Sequence, residues 1–148
     1  MNRRDEPAFT DLVKRLARYE KLPVPKAAAL RRLCAALRRG EPKLHGLIAR
    51  EGRTAVGYAI YFFTYSSFLA RPTLYIEDLF VMPDQRGRGF GKALFDACLK
   101  AAKRATCGRM EWAVLTWNKP AQDFYRRAGA RQMNAWRVWR LRLRRDSW

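Results

Sequence analysis

The sequence of 148 residues predicts an α/β domain in which helices cover a mixed β-sheet. Two observations lead to this class. Apolar residues recur at helical spacing near the start of the chain, and from Leu44 onward they follow the alternating or continuous apolar patterns that are typical of strands. Helical patterns then separate further strand-like runs, which gives the element order ααβββαβαβ. No internal repeat or flexible linker divides the chain, so residues 1–148 are predicted to form a single domain.

Two helices are predicted first. The stretch "PAFTDLVKRLARYEKL" places its apolar residues on one helical face, and Thr10 or Asp11 is predicted to cap its start. The stretch "KAAALRRLCAALRRG" runs from Lys26 to a terminating Gly40, with an apolar stripe between pairs of arginines. Both helices therefore have one face that must be covered by another layer of the fold.

The strands and the remaining helices follow. Three runs rich in Ile, Val, Phe and Tyr are predicted strands: "LHGLIARE", "TAVGYAIYFFTYSS" and "TLYIEDLFVM". A helix over "GRGFGKALFDACLKAAKRA" and a fourth strand over "MEWAVLTW" come next. The short helix "NKPAQDFYRRAG" has Asn118 as its predicted N-cap and Gly129 as its predicted C-cap. The tail "WRVWRLRLRR" alternates from Trp139 to Arg144, which predicts a half-buried last strand.

The charge of the chain is unusual. The sequence holds 31 Lys and Arg against 13 Asp and Glu, a net charge of +18. Such a field attracts nucleic acid, an anionic membrane or a phosphorylated ligand, and it repels small cations. No apolar run and no leader pattern indicates a membrane span or a signal peptide. The three cysteines lack the spacing of a disulfide framework or a zinc site, so we expect a cytoplasmic protein with free thiols and no metal.

A glycine-rich patch, "RGRGFGK", follows the third predicted strand and opens a helix. This order is the physical recipe for an anion site, because unpaired amides and the positive end of the helix dipole face the same point. A Walker loop requires Lys followed by Ser or Thr, and a dinucleotide fingerprint requires wider glycine spacing, so both fit poorly. The patch alone leaves two interpretations open: a phosphate site of another class, or a flexible basic turn.

The arginine and glycines of this patch resemble the R/Q-x-x-G-x-G/A pyrophosphate loop of the GCN5-related N-acetyltransferases. The stretches "YFFTYSSF", "LYIEDLFVMPDQRGRGFG" and "AVLTWNKPAQDFYRRAGA" are similar to the spermidine/spermine and thialysine acetyltransferase branch of that superfamily. The resemblance covers roughly Tyr19 to Leu143. It implies a three-layer αβα fold with a splayed central sheet, whose first strand is missing or vestigial because few residues precede Phe9.

The resemblance implies an activity and a set of site residues. The activity is direct transfer of an acetyl group from acetyl-CoA to a primary amine of a small molecule: a diamine, a polyamine or a lysine-like amino acid. Tyr125 would be the general acid and Glu77 the general base. Acetyl-CoA would contact Leu79, Phe80, Val81, Arg86, Gly87, Arg88, Gly89, Phe90, Gly91, Lys92, Asn118, Pro120, Ala121 and Tyr125.

The acceptor amine would be bound, by the same resemblance, by Tyr19, Glu20, Glu77, Asp78, Glu111 and Trp112. Strand alternation predicts that the adjacent acids Glu77 and Asp78 point to opposite faces of the sheet. A long polyamine would have to approach a strongly positive protein, and the loop "RQMNA" carries no acid, so we favour a smaller amine.

Other functions stay open at this point. Lysine acetylation of a protein or peptide would use the same scaffold, and a non-catalytic chain could still bind acetyl-CoA. A basic nucleic-acid-binding protein fits the charge, although no nucleic-acid fold motif accompanies it. Similar enzymes form homodimers through their last strands, which the aromatic tail from Trp136 to Leu143 would suit. The single histidine, His45, is predicted to have a surface or packing role rather than a catalytic one.

Overall fold

The structure is a computed structural model that describes residues 2–40, 44–141 and 143. These residues fall into two compact units that divide after Ala113. The first unit holds two helices, a sheet and a third helix, and the second holds one helix and the tail. Each unit is described by itself.

The predicted mixed α/β class and the order of elements as far as the fourth helix are confirmed. The helices are α1 (Glu6–Tyr19), α2 (Ala27–Arg39), α3 (Phe90–Arg104) and α4 (Lys119–Arg127). The strands are β1 (His45–Glu51), β2 (Thr54–Ser66), β3 (Arg71–Val81) and β4 (Arg109–Trp112). Short 3-10 turns at Arg3–Asp5 and Pro83–Gln85 precede α1 and follow β3.

The four strands form one sheet in the order β1-β2-β3-β4. The first three strands are antiparallel neighbours, and β4 runs parallel to β3. β3 is paired with β2 along its whole length as far as Val81, whereas its pairing with β4 ends at Ile76. The sheet therefore opens beyond Ile76, which leaves one edge of β3 without a neighbouring strand among the described residues.

Helices cover both faces of this sheet. On one face, α1 and α2 bury residues such as Phe9 and Leu37 against Tyr58, Ile60 and Phe80. On the other face, α3 packs on the sheet, and its Phe95 meets Trp112 of β4 edge to face, with ring centroids 5.6 Å apart. Each of these three helices buries residues of the apolar stripe that its sequence pattern predicts.

Two predictions about helix ends need correction. α1 begins at Glu6 with Asp5 at its N-cap, so neither Thr10 nor Asp11 caps it. Pro7 stands in the first turn, where proline is well tolerated because that position needs no hydrogen-bond donor. At the end of α4 the C-cap is Ala128, and Gly129 follows it with a φ of +86°.

The last two predicted strands are corrected as well. In the stretch "MEWAVLTW" only residues 110–112 are strand, because β4 begins one residue earlier at Arg109 and its pairing with β3 ends at Trp112. The predicted strand from Trp139 is wrong where the structure describes it: Trp139 and Leu141 lie in no strand and are 92% and 85% exposed. Alternation produces a strand only where a neighbour completes the backbone hydrogen bonds. Arg142 and Arg144 of this prediction lie outside the described residues.

Candidate active site

The glycine loop connects β3 to α3. After the turn Pro83–Gln85 the chain takes left-handed backbone angles at Gly87 (φ +75°) and Gly89 (φ +88°). Glycine adopts these angles without the steric cost that a Cβ would bring. Gly89 is the N-cap of α3, and it has no side chain that could satisfy the first amides of the helix.

Six consecutive backbone amides, from Gly87 to Lys92, donate to no acceptor among the described residues, and the first bonded amide is that of Ala93, which donates to Gly89 O at 2.9 Å. The loop from Arg86 to Gly89 is exposed. Since the helix dipole adds partial positive charge at the same place, this loop is an open cradle of donors for an anion.

The basic side chains of the loop are engaged by the protein itself. Arg86 donates from Nε to Val81 O at 3.2 Å, and its guanidinium lies 4.5 Å from the centre of the Tyr19 ring. Arg88 donates to Glu51 at 2.9 Å, and Lys92 pairs with Asp96. These contacts brace the loop, and the main-chain amides are a second set of donors that does not depend on where these side chains lie.

The open edge of β3 lies next to this loop in the chain. Met82 N–H donates to Val56 O at 2.9 Å, which points the amide of Met82 towards β2. Because residues of an antiparallel strand turn their backbone groups alternately to either side, Phe80 also faces β2, while Leu79 and Val81 face the open edge. The carbonyl oxygen of Val81 accepts a hydrogen bond from Arg86 Nε, which agrees with Val81 facing away from β2. Leu79 and Val81 thus offer backbone groups to a ligand that lies along β3.

A β-bulge interrupts β3 at Glu77. Ile60 of β2 lies opposite Asp78, and the next residue, Tyr61, lies opposite Ile76, so Glu77 is the extra residue. Bulges break alternation and redirect side chains. The prediction that Glu77 and Asp78 point to opposite faces assumed unbroken alternation, so at this bulge it stays a prediction; the charge of Glu77 raises the pKa of Asp78.

Asp78 is the most perturbed acid of the site. Burial raises the pKa of its carboxyl group to about 6, the hydroxyl of Tyr58 opposes this shift, and the charges of Glu77 and Glu20 raise the pKa further. Tyr58 donates to Asp78 Oδ2 at 3.1 Å. Burial also raises the pKa of Glu20, which follows the end of α1. The structure therefore brings three of the predicted acids together.

A fourth predicted acid, Glu111, lies beside Tyr75 in the register of β3 and β4. Burial raises the pKa of Tyr75, and the charges of Glu77 and Glu111 add to the shift. Glu111 also pairs with Arg109 at 3.0 Å. Its neighbour Trp112 is on the other face of the sheet, against α3, and so is not grouped with the acids.

The second unit holds the remaining predicted residues on and before α4. Asn118 is the N-cap, as predicted, and its side chain accepts from the Ala121 amide at 3.3 Å, with Pro120 in the first turn. The side chain of Gln122 donates to Leu115 O and Thr116 O at 3.2 and 2.9 Å. Tyr125 is half-buried on the same helix. These bonds fix the turn that precedes the helix.

Sequence reasoning missed several contacts of the site: the bond from Tyr58 to Asp78, the position of Tyr75, the stacking of Arg86 on Tyr19 and the bond from Arg88 to Glu51. Tyrosines in an apolar strand are predicted to be core residues, and no local signal in the sequence pairs them with a particular acid. Among the described residues no group of three or more His, Cys, Asp or Glu is placed to hold a metal ion. Within the same residues, none of the helices has the length and apolar character that a bilayer span requires.

An anion cradle at a helix start, an open strand edge and a group of acids are parts that an acyl-transfer enzyme with a phosphorylated donor requires. The model of the acetyltransferase (GNAT) family matches residues 8–130, and the chain belongs to this family of N-acetyltransferases. The predicted branch of the superfamily is confirmed by the named relatives.

Three relatives are informative. Thialysine N-epsilon-acetyltransferase of Bos taurus is 33% identical over 136 residues, which are 86% of this chain and 79% of that enzyme. L-ornithine N5-acetyltransferase NATA1 of Arabidopsis thaliana is 44% identical over 85 residues, 57% of this chain and only 37% of that protein. Spermidine/spermine N(1)-acetyltransferase-like protein 1 of Homo sapiens is 31% identical over 90 residues, 61% of this chain and 13% of that protein.

Solved structures share the fold. A probable acetyltransferase superposes with a TM-score of 0.82 at 16% identity and covers 97% of this chain and 95% of its own. AAC(6')-Iy in complex with the bisubstrate analogue CoA-S-monomethyl-acetylneamine superposes with a TM-score of 0.80 at 22% identity, over 96% of this chain and 95% of its own.

Proposed function

We propose that this protein transfers the acetyl group of acetyl-CoA directly to a primary amine of a small diamine or lysine-like amino acid. The single observation that carries the proposal is the row of six amides from Gly87 to Lys92, which follows the open edge of β3 and donates to no acceptor in the part of the chain that the structure describes. The acids Glu20, Glu77 and Asp78 support a cationic acceptor. Relatives named for thialysine and L-ornithine favour an acceptor with a terminal amine.

The residues present fit acetyl-CoA. The amides of the glycine loop suit a diphosphate, because main-chain donors and the helix dipole both favour negative charge there. Leu79 and Val81 would pair with the pantetheine arm through backbone groups, with one amide polarising the thioester carbonyl. By resemblance, Asn118, Pro120 and Ala121 would complete the contacts. When bound, acetyl-CoA supplies the thioester whose acetyl group is transferred.

The acceptor would enter as an ammonium ion. Carboxylates attract that ion locally although the protein as a whole carries +18. Glu77 is exposed on its bulge and would take the proton that the amine must lose before it can attack. A long polyamine extends beyond this acid group into a positive field, which favours a compact acceptor.

The departing thiolate requires a proton, and Tyr125 would donate it. A phenol with an ordinary pKa of about 10 is protonated at neutral pH and can protonate a thiolate of comparable basicity. Tyr125→Phe should lower turnover by about a hundredfold or more and leave the affinity for coenzyme A almost unchanged. Tyr65→Phe, on the exposed end of β2, is the matched control and should keep full activity.

The proposal is tested by calorimetry with coenzyme A and by acetylation of a panel of amines. The panel contains L-ornithine, L-lysine, thialysine, putrescine, spermidine and spermine. We expect heat on coenzyme A binding and fastest turnover on a diamine or diamino acid. Absence of heat with coenzyme A overturns the proposed function, and fastest turnover on spermine overturns the preference for a compact acceptor.

We also propose a homodimer. Five large apolar residues of the tail are exposed: Trp136, Val138, Trp139, Leu141 and Leu143. An exposed apolar segment of this kind supports contact with a second copy. Light scattering should give twice the monomer mass of 17.3 kDa, and a monomer at micromolar concentration would contradict it.

A further inference from the structure

The hydroxyl of Tyr58 makes a specific contact that neither the family resemblance nor the proposed mechanism uses. The Tyr58 side chain is fully buried and lies between two rings, with centroid distances of 5.3 Å to Phe9 and 6.2 Å to Phe80. Its hydroxyl donates to Asp78 Oδ2 at 3.1 Å. The two ring contacts fix the tyrosine, so the position of its hydroxyl is set by the core of the protein.

Asp78 occupies a critical place in β3. It lies opposite Ile60 at the bulge and directly precedes Leu79, the first residue of the open edge. The groups whose charge or hydrogen bond acts on Asp78 come from three elements: Tyr58 from β2, Glu77 from β3, and Glu20 from the end of α1. Two of these three groups are acids, which oppose ionisation of Asp78. Among the residues that the structure describes, no second donor reaches the carboxylate.

We propose that Tyr58 is a positioning residue of the acceptor site, whose hydroxyl holds Asp78 ionised and oriented so that its second oxygen can accept the substrate ammonium group. This inference rests on the proposed function. A buried carboxylate next to two other acids requires a donor if it is to stay charged near neutral pH. Tyr58 supplies that donor, and it remains protonated because burial and the charge of Asp78 raise its own pKa well above 10.

The inference gives Tyr58→Phe a distinctive effect. The substitution keeps both ring contacts and removes only the donor, so the pKa of Asp78 should rise above its present value of about 6. A hydrogen bond to a charged group is strong enough that kcat/KM of Tyr58→Phe should be about tenfold lower than that of wild type near pH 6.5. The ratio of the two values should recover towards one near pH 9, about where Asp78 is ionised in both proteins. KM for the amine should rise, and KM for acetyl-CoA should not.

Two further proteins make the test specific. Tyr61→Phe removes a hydroxyl from another tyrosine of β2, which packs on His45 and Phe63, and the ratio of its kcat/KM to that of wild type should not depend on pH. In an Asp78→Asn background, adding Tyr58→Phe should have no further effect on kcat/KM. A ratio for Tyr58→Phe that is the same at every pH, or an equal loss in the Asp78→Asn background, overturns the inference because both indicate packing alone.

A measurement without turnover separates this inference from the proposed function. The carboxyl carbon of Asp78, followed by 13C NMR, should titrate at higher pH in Tyr58→Phe than in wild type. An unchanged midpoint overturns the role of Tyr58 even if the enzyme acetylates an amine. Lack of both coenzyme A binding and amine acetylation overturns the proposed function, and the NMR titration then decides the coupling of Tyr58 to Asp78 by itself.

Discussion

Replacing Asp78 with Asn should stabilise the protein at neutral pH and not in acid. Burial raises the pKa of Asp78 from 3.8 to about 6, so the folded protein prefers the protonated form more strongly than the unfolded chain does. The stabilising contribution of this group is complete below about pH 4 and is lost as the pH rises through about 6. A shift of this size corresponds to about 3 kcal/mol at neutral pH. Asn keeps an oxygen for Tyr58 and carries no charge that burial could penalise.

The assay is urea denaturation followed by tryptophan fluorescence, for wild type and Asp78→Asn, from about pH 4 to about pH 8. The free energies of unfolding should agree within error near pH 4, and the variant should gain up to about 3 kcal/mol near pH 7.5. Asp84→Asn is the control, because it removes the same negative charge from an exposed position. A difference that does not change with pH, or a variant less stable than wild type near pH 7.5, refutes the reasoning.

Three further predictions concern glycines and a thiol. Gly57→Ala should lower the free energy of unfolding by about 1–3 kcal/mol, measured by urea denaturation, because its Cβ would lie 2.6 Å from Phe80 O. Gly89→Ala should weaken coenzyme A binding in calorimetry, since alanine resists its φ of +88°; Gly40→Ala has comparable strain, about 1–2 kcal/mol, and should leave binding unchanged. Cys98 is fully buried, and burial raises its pKa to about 11, so iodoacetamide should label it only after unfolding.

The helices and strands of the first unit could be predicted because each carries a clear apolar period. The mixed sheet and the place of the glycine loop between β3 and α3 followed from the order of those elements. The amphipathic tail could not be placed in this way. Its alternation satisfies the sequence criterion for a strand, but a strand also needs a partner, and a local pattern contains no information about partners.

The candidate site was predictable in its backbone part and less so in its side chains. The glycines of the loop indicate a tight turn, and Gly87 and Gly89 adopt left-handed backbone angles there. The bulge at Glu77 is a register shift between two strands, and no residue type in "YIEDLF" signals it. The contact of Tyr58 with Asp78 joins residues 20 positions apart, so it depends on that register and stays hidden until the strands are paired.

The cradle formed by Gly87 to Lys92 has an evolutionary consequence, since peptide amides are common to every residue except proline. Chains descended from the same ancestor could exchange most residues of this loop and keep the proposed diphosphate site, provided that the two left-handed positions keep glycine. Arg86, Arg88 and Lys92 brace the loop through their contacts with other residues. Substitutions at these three positions should therefore change the stiffness of the loop before they abolish ligand binding. A library randomised at the arginine and lysine positions should therefore yield many binders, whereas one randomised at Gly87 and Gly89 should yield few.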